Sequence, residues 1–162
     1  MALQNTGEIT VGVGRAAAFA FARNAQQMAE CIPGCHDLQE LSADRYSAVL
    51  TSKVAFVTLS FKVIVEVVKS DPLNEIEATA TGDAIKLSGH LVAKANLQFA
   101  DAAENQTLIR YSAEVGLTGK LGGLGQPVLK AKSAEFAREF GANLKAAIER
   151  SALPSEQKDT PA

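Results

Sequence analysis

The sequence predicts an α+β domain in which one antiparallel sheet curls around a single long helix near the C-terminus. Three observations carry this. Residues 124–150 hold the only long helical pattern: Leu129, Ser133, Phe136, Phe140, Leu144 and Ala147 recur at three- and four-residue steps, with Glu135, Arg138, Lys145 and Glu149 opposite. Nearly everything upstream, apart from a short helical patch, alternates apolar and polar residues with period two, the signature of strands with one dry face. A lone amphipathic helix after a run of strands can bury its stripe only against that dry face.

The first strand spans 8–13, with Ile9, Val11 and Val13 on one side. Residues 15–23 are rich in alanine and phenylalanine and read as a short helix showing Phe19 and Ala22 inward. Asn24 ends that helix or caps the next, 25–31, which presents Met28 and Ile32 before Pro33-Gly34 stops it. Strands resume at 35–41, followed by a turn at Ser42-Ala43-Asp44. The 45–56 strand sets Tyr46, Ala48, Leu50, Ser52, Val54 and Phe56 on one face, and the 58–68 strand sets Leu59, Phe61, Val63, Val65 and Val67 there. Asp71-Pro72-Leu73-Asn74 is a turn. Three more strands follow at 75–82, 88–99 and 107–118, with Ile76, Ala78, Ala80, Leu91, Ala93, Ala95, Leu97, Phe99, Ile109, Tyr111, Ala113, Val115 and Leu117 inward. Because a one-residue slip would turn a strand's whole apolar set to water, the pattern is specific. It buries Leu59, Phe61, Val63, Leu97, Ile109 and Phe140 and exposes Lys62, Glu66, Lys94 and Glu114. Gly122 to Gly125 lets the chain turn into the long helix, whose first turn tolerates Pro127 because that N–H would lack a helical partner. Residues 1–150 form one domain, and 151–162 read as a polar, disordered tail.

With 47% apolar and 21% charged residues the chain has the composition of a soluble globular protein, and 162 residues suffice for one core. A formal net charge of −2 without a basic run argues against nucleic acid as a partner. The N-terminus has neither the basic nor the apolar region of a secretory signal, and no apolar stretch reaches the roughly 20 residues of a membrane span, so the expected location is the cytoplasm. Cys31 and Cys35 have the wrong spacing for a redox pair and only His36 and His90 to complete a zinc site. They read as free thiols packing the Pro33-Gly34 turn, and neither a metal nor another cofactor is expected.

Catalytic patterns are equally thin. The glycine-rich run lacks the closing Gly-Lys-Ser/Thr of a phosphate loop, and no strand follows to complete a βαβ unit. Cys35 and His36 are adjacent on a strand and so point to opposite faces. Glu66, Glu75, Glu77 and Glu114 alternate with apolar residues and should face water, so no catalytic residue is assigned. What remains inside is apolar surface with a few hydroxyls and amides, the make-up of a pocket that takes a lipophilic molecule and orients it through one or two hydrogen bonds. Alanines on the concave face indicate space between sheet and helix, although close helix–sheet contact selects alanine too. The expected lining is Tyr46, Phe61, Ala93, Tyr111, Ser133, Phe136 and Phe140. Each polar member has a plainer role open to it, as a hydroxyl satisfied locally.

The order strand, two short helices, six strands, long helix resembles the helix-grip fold of the START/Bet v 1-like superfamily. Within it the chain is similar to the CoxG family, the G-type accessory component of carbon monoxide dehydrogenase. The resemblance spans residues 7–150. It rests on Cys31-Ile32-Pro33-Gly34-Cys35 after the paired helices, on Asp44-Arg45-Tyr46 opening a strand, and on the run from Gly119 to Pro127. Phe19 stands where the family often has tryptophan, and Ala55-Phe56 where a Gly-Pro hairpin is common. Some members carry a tail ending in a membrane anchor, which residues 151–162 do not contain. The resemblance implies a non-enzymatic accessory role, in assembly or in membrane and quinone coupling, for a molybdenum-containing carbon monoxide dehydrogenase or related hydroxylase. It also implies a quinone- or lipid-like ligand and peripheral contact at the inner face of the membrane. The alternative on the same architecture is an enzyme of the polyketide cyclase or dehydratase type. A scaffold with a filled interior is the third reading.

Overall fold

The structure, a computed structural model, describes residues 2–54, 56–86, 88–119 and 124–151. Its elements run β1 (Ala2–Val11), α1 (Arg15–Arg23), α2 (Ala25–Cys31), β2 (Cys35–Ser42), β3 (Arg45–Val54), β4 (Val57–Asp71), β5 (Glu75–Ala84), β6 (Gly89–Asp101), β7 (Thr107–Gly119) and α3 (Gln126–Ser151). Each strand from β2 to β7 pairs antiparallel with the next, and β1 returns to the free edge of β7, giving one sheet in the order β1-β7-β6-β5-β4-β3-β2. Two short helices after the first strand and one long helix at the end complete the helix-grip architecture that the periodicities predict.

Alternation decides the faces. Leu59, Phe61, Val63, Leu97 and Ile109 are buried, whereas Lys62, Glu66, Lys94 and Glu114 are exposed. Phe140, expected to be buried, is half-buried. Register shifts interrupt β2 and fall between Val67 and Lys69 in β4, where the extra residue leaves Val68 exposed. Bulges of this kind bend a strand and increase its twist.

Several boundaries differ from the sequence reading. β1 begins at Ala2 and pairs with β7 along its whole length, because Leu3, Asn5 and Gly7 continue the inward alternation with residues that carry little apolar signal. β3 ends at Val54, which pairs with Val57 across a two-residue turn, so Phe56 lies at a hairpin tip and is 99% exposed instead of facing inward. Ala18, Phe21 and Ala22 are the buried side of α1. Phe19 is half-buried, edge-on to Phe99 with centroids 5.5 Å apart. The glycine-rich turn falls partly, and the 152–162 tail wholly, outside the described residues; of the former, Gly125 takes φ 92°, which a side chain would resist.

Local chemistry sets the joints. Asn24 Oδ1 accepts the Gln27 N–H at 3.0 Å and caps α2. Gly34, at φ 76°, lies so close to the Thr51 carbonyl that a Cβ there would sit 2.0 Å from the oxygen, and Thr51 N–H donates to Gly34 O at 3.0 Å. The loop after α2 is thereby fixed to β3. Asn143 Nδ2 donates to the Cys31 carbonyl at 3.1 Å, tying the same loop to α3. At the opposite end Arg15 donates to Asp101, Asn74 and the Leu73 carbonyl, joining α1 to two hairpins.

The interior is divided. One cluster joins α1, Val11, Val13, Ile76, Leu97, Phe99 and Ile109 to Leu144 and Ile148 of α3. The other joins Leu3, Ala48, Val54, Leu59, Phe61, Val63, Leu91 and Leu117 to Leu129 near the start of α3. Within the first, Thr107 is fully buried and donates to the Val13 carbonyl at 2.8 Å, so its hydroxyl carries no desolvation penalty.

Candidate functional site

Between the two clusters the inner face of the sheet is paved with small residues. The register aligns Val67, Ala78, Ala95, Ala113 and Asn5 in one cross-strand row and Tyr46, Val65, Ala80, Ala93, Val115 and Leu3 in the next. Large side chains flank both rows: Ile76 and Leu97 on one side, Val63, Leu91 and Leu117 on the other. Ala95, on a central strand and on the face turned toward the helix, is nevertheless exposed, and Ala78, Ala80, Ala93 and Ala113 are half-buried. A methyl group is too short to fill the depth that the flanking leucines and isoleucine occupy. The inner face therefore keeps an uncovered, apolar trough.

α3 is held toward the β1 side of this trough. Asn5 Nδ2 donates to Ser133 Oγ, Lys145 Nζ donates to the Thr10 carbonyl, and the Gly12 N–H donates to Glu149 Oε2 at 3.1 Å. Lys145 and Glu149 pair at 3.2 Å along the helix. These bonds run along one edge strand, which leaves the middle of the sheet to side chains alone.

Tyr111 is the polar group of most interest. Its ring projects from β7 across Gly7 of β1 to Gly141 of α3. A Cβ added at Gly7 would lie 2.4 Å from its hydroxyl oxygen, and one added at Gly141 would lie 2.2 Å away. Both glycines are thus the walls of a slot, which accounts for a residue of poor helix propensity in the middle of α3. Phe140 meets the ring edge-on, centroids 5.5 Å apart at 80°. The Tyr111 hydroxyl has no hydrogen-bond partner among the described residues, yet it is not a buried orphan. Burial pushes its pKa up, so it is a neutral donor at physiological pH.

The other expected lining residues fall in different surroundings. Ala93 is in the trough floor, packed against the second cluster, to which buried Phe61 belongs. Tyr46 shares the Ala93 row, but its hydroxyl donates to the Ala43 carbonyl at 3.0 Å, so it is satisfied by its own turn. Ser133 is committed to Asn5. Phe136 lines a separate recess of about 130 Å³ with Pro33, Gly34, Ser52, Lys53 and Lys132, where α3 passes β3 and the loop after α2. The structure thus brings Tyr111 to Phe140 and Phe61 to the Ala93 cluster, and sets Phe136 apart at an opening. Sequence reasoning missed Gly7, Gly141 and Asn5; an isolated glycine inside a helix or strand pattern was the available signal for the first two.

Outside the trough, titratable groups are engaged locally. His36 Nε2 lies 3.0 Å from Thr51 Oγ1, and His90 Nδ1 lies 2.8 Å from Asp83 Oδ1; both rings are exposed. Cys31 and Cys35 are free thiols whose pKa values burial raises, the opposite of what a reactive thiolate needs. On the convex face a depression of about 290 Å³ is bordered by Glu75, Gln98 and Arg110. Hydrogen bonds from Asn96 and Lys69 hold the Glu75 carboxyl below the usual carboxylate range. No helix among the described residues is long and apolar enough to cross a membrane.

Residues 7–149 match the family model for CoxG, the G-type component of carbon monoxide dehydrogenase. No curated protein matches the chain. Among solved structures, a conserved protein from Geobacillus kaustophilus superposes with a TM-score of 0.80 at 20% identity, covering 91% of this chain and 96% of its own. A START superfamily protein from Mycobacterium smegmatis gives 0.68 at 9% identity, covering 92% and 99%. The Zhui aromatase/cyclase from Streptomyces sp. R1128 gives 0.65 at 13% identity, covering 93% and 95%. At such identities these structures establish the shared fold alone.

Proposed function

The chain belongs to the CoxG family of carbon monoxide dehydrogenase components, and from that premise we propose that it is an accessory binding protein, not an enzyme. It holds a quinone- or lipid-like molecule in the alanine-floored trough and serves a molybdenum-containing carbon monoxide dehydrogenase or related hydroxylase. It works in the cytoplasm, at the inner face of the membrane. The observation that carries the ligand class is exposed Ala95 in the middle of an apolar inner face. The sheet residues around it supply methyl and isopropyl groups, and the Tyr111 hydroxyl beside them is a free donor suited to a carbonyl oxygen. An acyl or prenyl chain gains about 0.8 kcal/mol per methylene removed from water. Ten methylenes would give roughly 8 kcal/mol, against at least about 4 for immobilising the ligand. Binding in the millimolar-to-micromolar range, insensitive to salt, is the expected outcome.

The test is titration with decylubiquinone, together with mass spectrometry of organic extracts of the purified protein. Ala95→Trp should fill the trough and weaken binding about tenfold or more while helix content stays unchanged. Undiminished binding by Ala95→Trp, or no binding by the folded wild type, would remove the trough from consideration. The rival cyclase-type reading is supported by the fold shared with Zhui and by the same free hydroxyl. It requires that an aromatic polyketide be converted, so recovery of every bound molecule unchanged counts against it.

A further inference from the structure

We propose that the end of the sheet formed by the β3–β4 and β5–β6 hairpins and the first turns of α3 docks on an anionic lipid bilayer, with Phe56 as its inserted anchor. Large hydrophobic side chains are exposed at eight described positions, and four of them, Phe56, Val57, Ile85 and Val128, gather at this end. The pairing proves their proximity. Phe56 and Val57 cap the hairpin closed by Val54, the Ile85 N–H donates to the Ser60 carbonyl at 2.7 Å, and Val54, Leu59 and Leu129 share one core cluster. The other four are dispersed, Leu41 and Leu73 toward the opposite turns, Val68 at the β4 bulge and Val92 on the convex face. Phe56 is 99% exposed on a two-residue turn, so the fold gains nothing from that ring.

Charge distribution identifies the partner. The three stretches that build this end, 49–65, 84–100 and 115–134, contain no aspartate or glutamate. Lys53, Lys86 and Lys130 have no ion-pair partner among the described residues, and Lys132 pairs with Glu135 at 3.2 Å. Asp83, the carboxylate closest in sequence to the β5–β6 turn, is matched by His90 at 2.8 Å. The opposite turns carry Asp44, Asp71, Asp101 and Glu104. A chain of formal charge −2 thus places its unpaired lysines around its most exposed apolar residues. A protein partner needs roughly 800 Å² of matching surface on each side. A ring on a protruding hairpin offers little of that, whereas a fluid interface accepts a lone aromatic ring and flanking lysines without a shaped counterpart. The Phe136 recess, bordered by Lys53 and Lys132, opens at the same end. The proposal stands on these surface residues and does not require the trough to be occupied.

The chain has no tryptophan, so Phe56→Trp supplies a single reporter on the tip. Its emission should shift to the blue on mixed phosphatidylcholine–phosphatidylglycerol vesicles and not on pure phosphatidylcholine, while Leu41→Trp should stay unshifted on both. Sedimentation with the mixed vesicles should weaken with salt, by roughly fivefold for each of Lys86→Ala and Lys130→Ala, and by about tenfold for Phe56→Ser. Since Phe56 packs against nothing, unchanged circular dichroism is expected for its variants. No sedimentation, an equal shift at Leu41, or wild-type binding by Phe56→Ser would each overturn the proposal. Capture of a protein through Phe56 without vesicle binding would overturn it as well.

Discussion

Gly141→Ala is the sharpest perturbation available, because two effects of opposite sign compete at one methyl group. In a helix interior the change should stabilise by roughly 1 kcal/mol, since glycine loses more backbone freedom on folding and leaves more backbone exposed. Here the new Cβ would stand 2.2 Å from the Tyr111 hydroxyl oxygen and 2.8 Å from the ring carbon that bears it. A free tyrosine tip would swing aside at little cost. This one meets Gly7 on the other side, where an added Cβ would lie within 2.8 Å of three of its atoms, and Phe140 at its edge. The ring has nowhere to go without moving β1 or α3, so an overpacking cost near the upper end of about 1–3 kcal/mol applies. The net expectation is destabilisation by about 2 kcal/mol, read as a drop of about 1 M in the urea midpoint at constant slope. In a Tyr111→Leu background the slot is vacant and the sign should reverse, with Gly141→Ala stabilising by about 1 kcal/mol. A stabilising Gly141→Ala in the wild-type background would refute the slot and, with it, the placement of the Tyr111 hydroxyl. A double-mutant cycle with no coupling would do the same.

Two further outcomes follow from the same structure. Asn24→Ala removes the acceptor for the Gln27 N–H and should cost about 1 kcal/mol in urea unfolding, whereas Asn24→Asp, which keeps an acceptor, should be nearly silent. Burial raises the pKa values of Cys31, Cys35 and Tyr111, so the folded state keeps protons that the unfolded chain releases. Their contribution is whole below the ordinary thiol range and is lost as pH rises through the raised values; unfolding free energy should therefore fall on the alkaline side. Cys31→Ala/Tyr111→Phe should flatten that fall, and an unchanged slope would show that neither group reports on burial.

Much of the architecture was legible because strand alternation is a local property. Thr58 to Val67 alternates so regularly that only one face can be dry, and Leu59, Phe61 and Val63 are buried where Lys62 and Glu66 are exposed. The start of β1 was not legible, since Asn5 and Gly7 face inward for reasons that lie on other elements: Asn5 donates to Ser133, and Gly7 makes room for Tyr111. Phe56 misled in the opposite direction. Its position continued the period of β3, but the hairpin closes at Val54–Val57, and a turn takes its residues out of the pleat whatever their hydrophobicity.

By itself the sequence determined the strands, their dry face, the order of helices and the apolar character of whatever lies between sheet and helix. Those follow from periodicity, which each segment carries within a few residues. Only the tertiary structure decided which inward residues became core and which became trough. Ala93 and Ala95 are two residues apart on one strand face, yet Ala93 packs against a cluster while Ala95 stays exposed. The difference arises because α3 is fastened along β1 through Asn5, Thr10 and Gly12 and so does not cover the centre of the sheet. Where a helix comes to rest depends on bonds between segments far apart in the chain, and no local pattern records them.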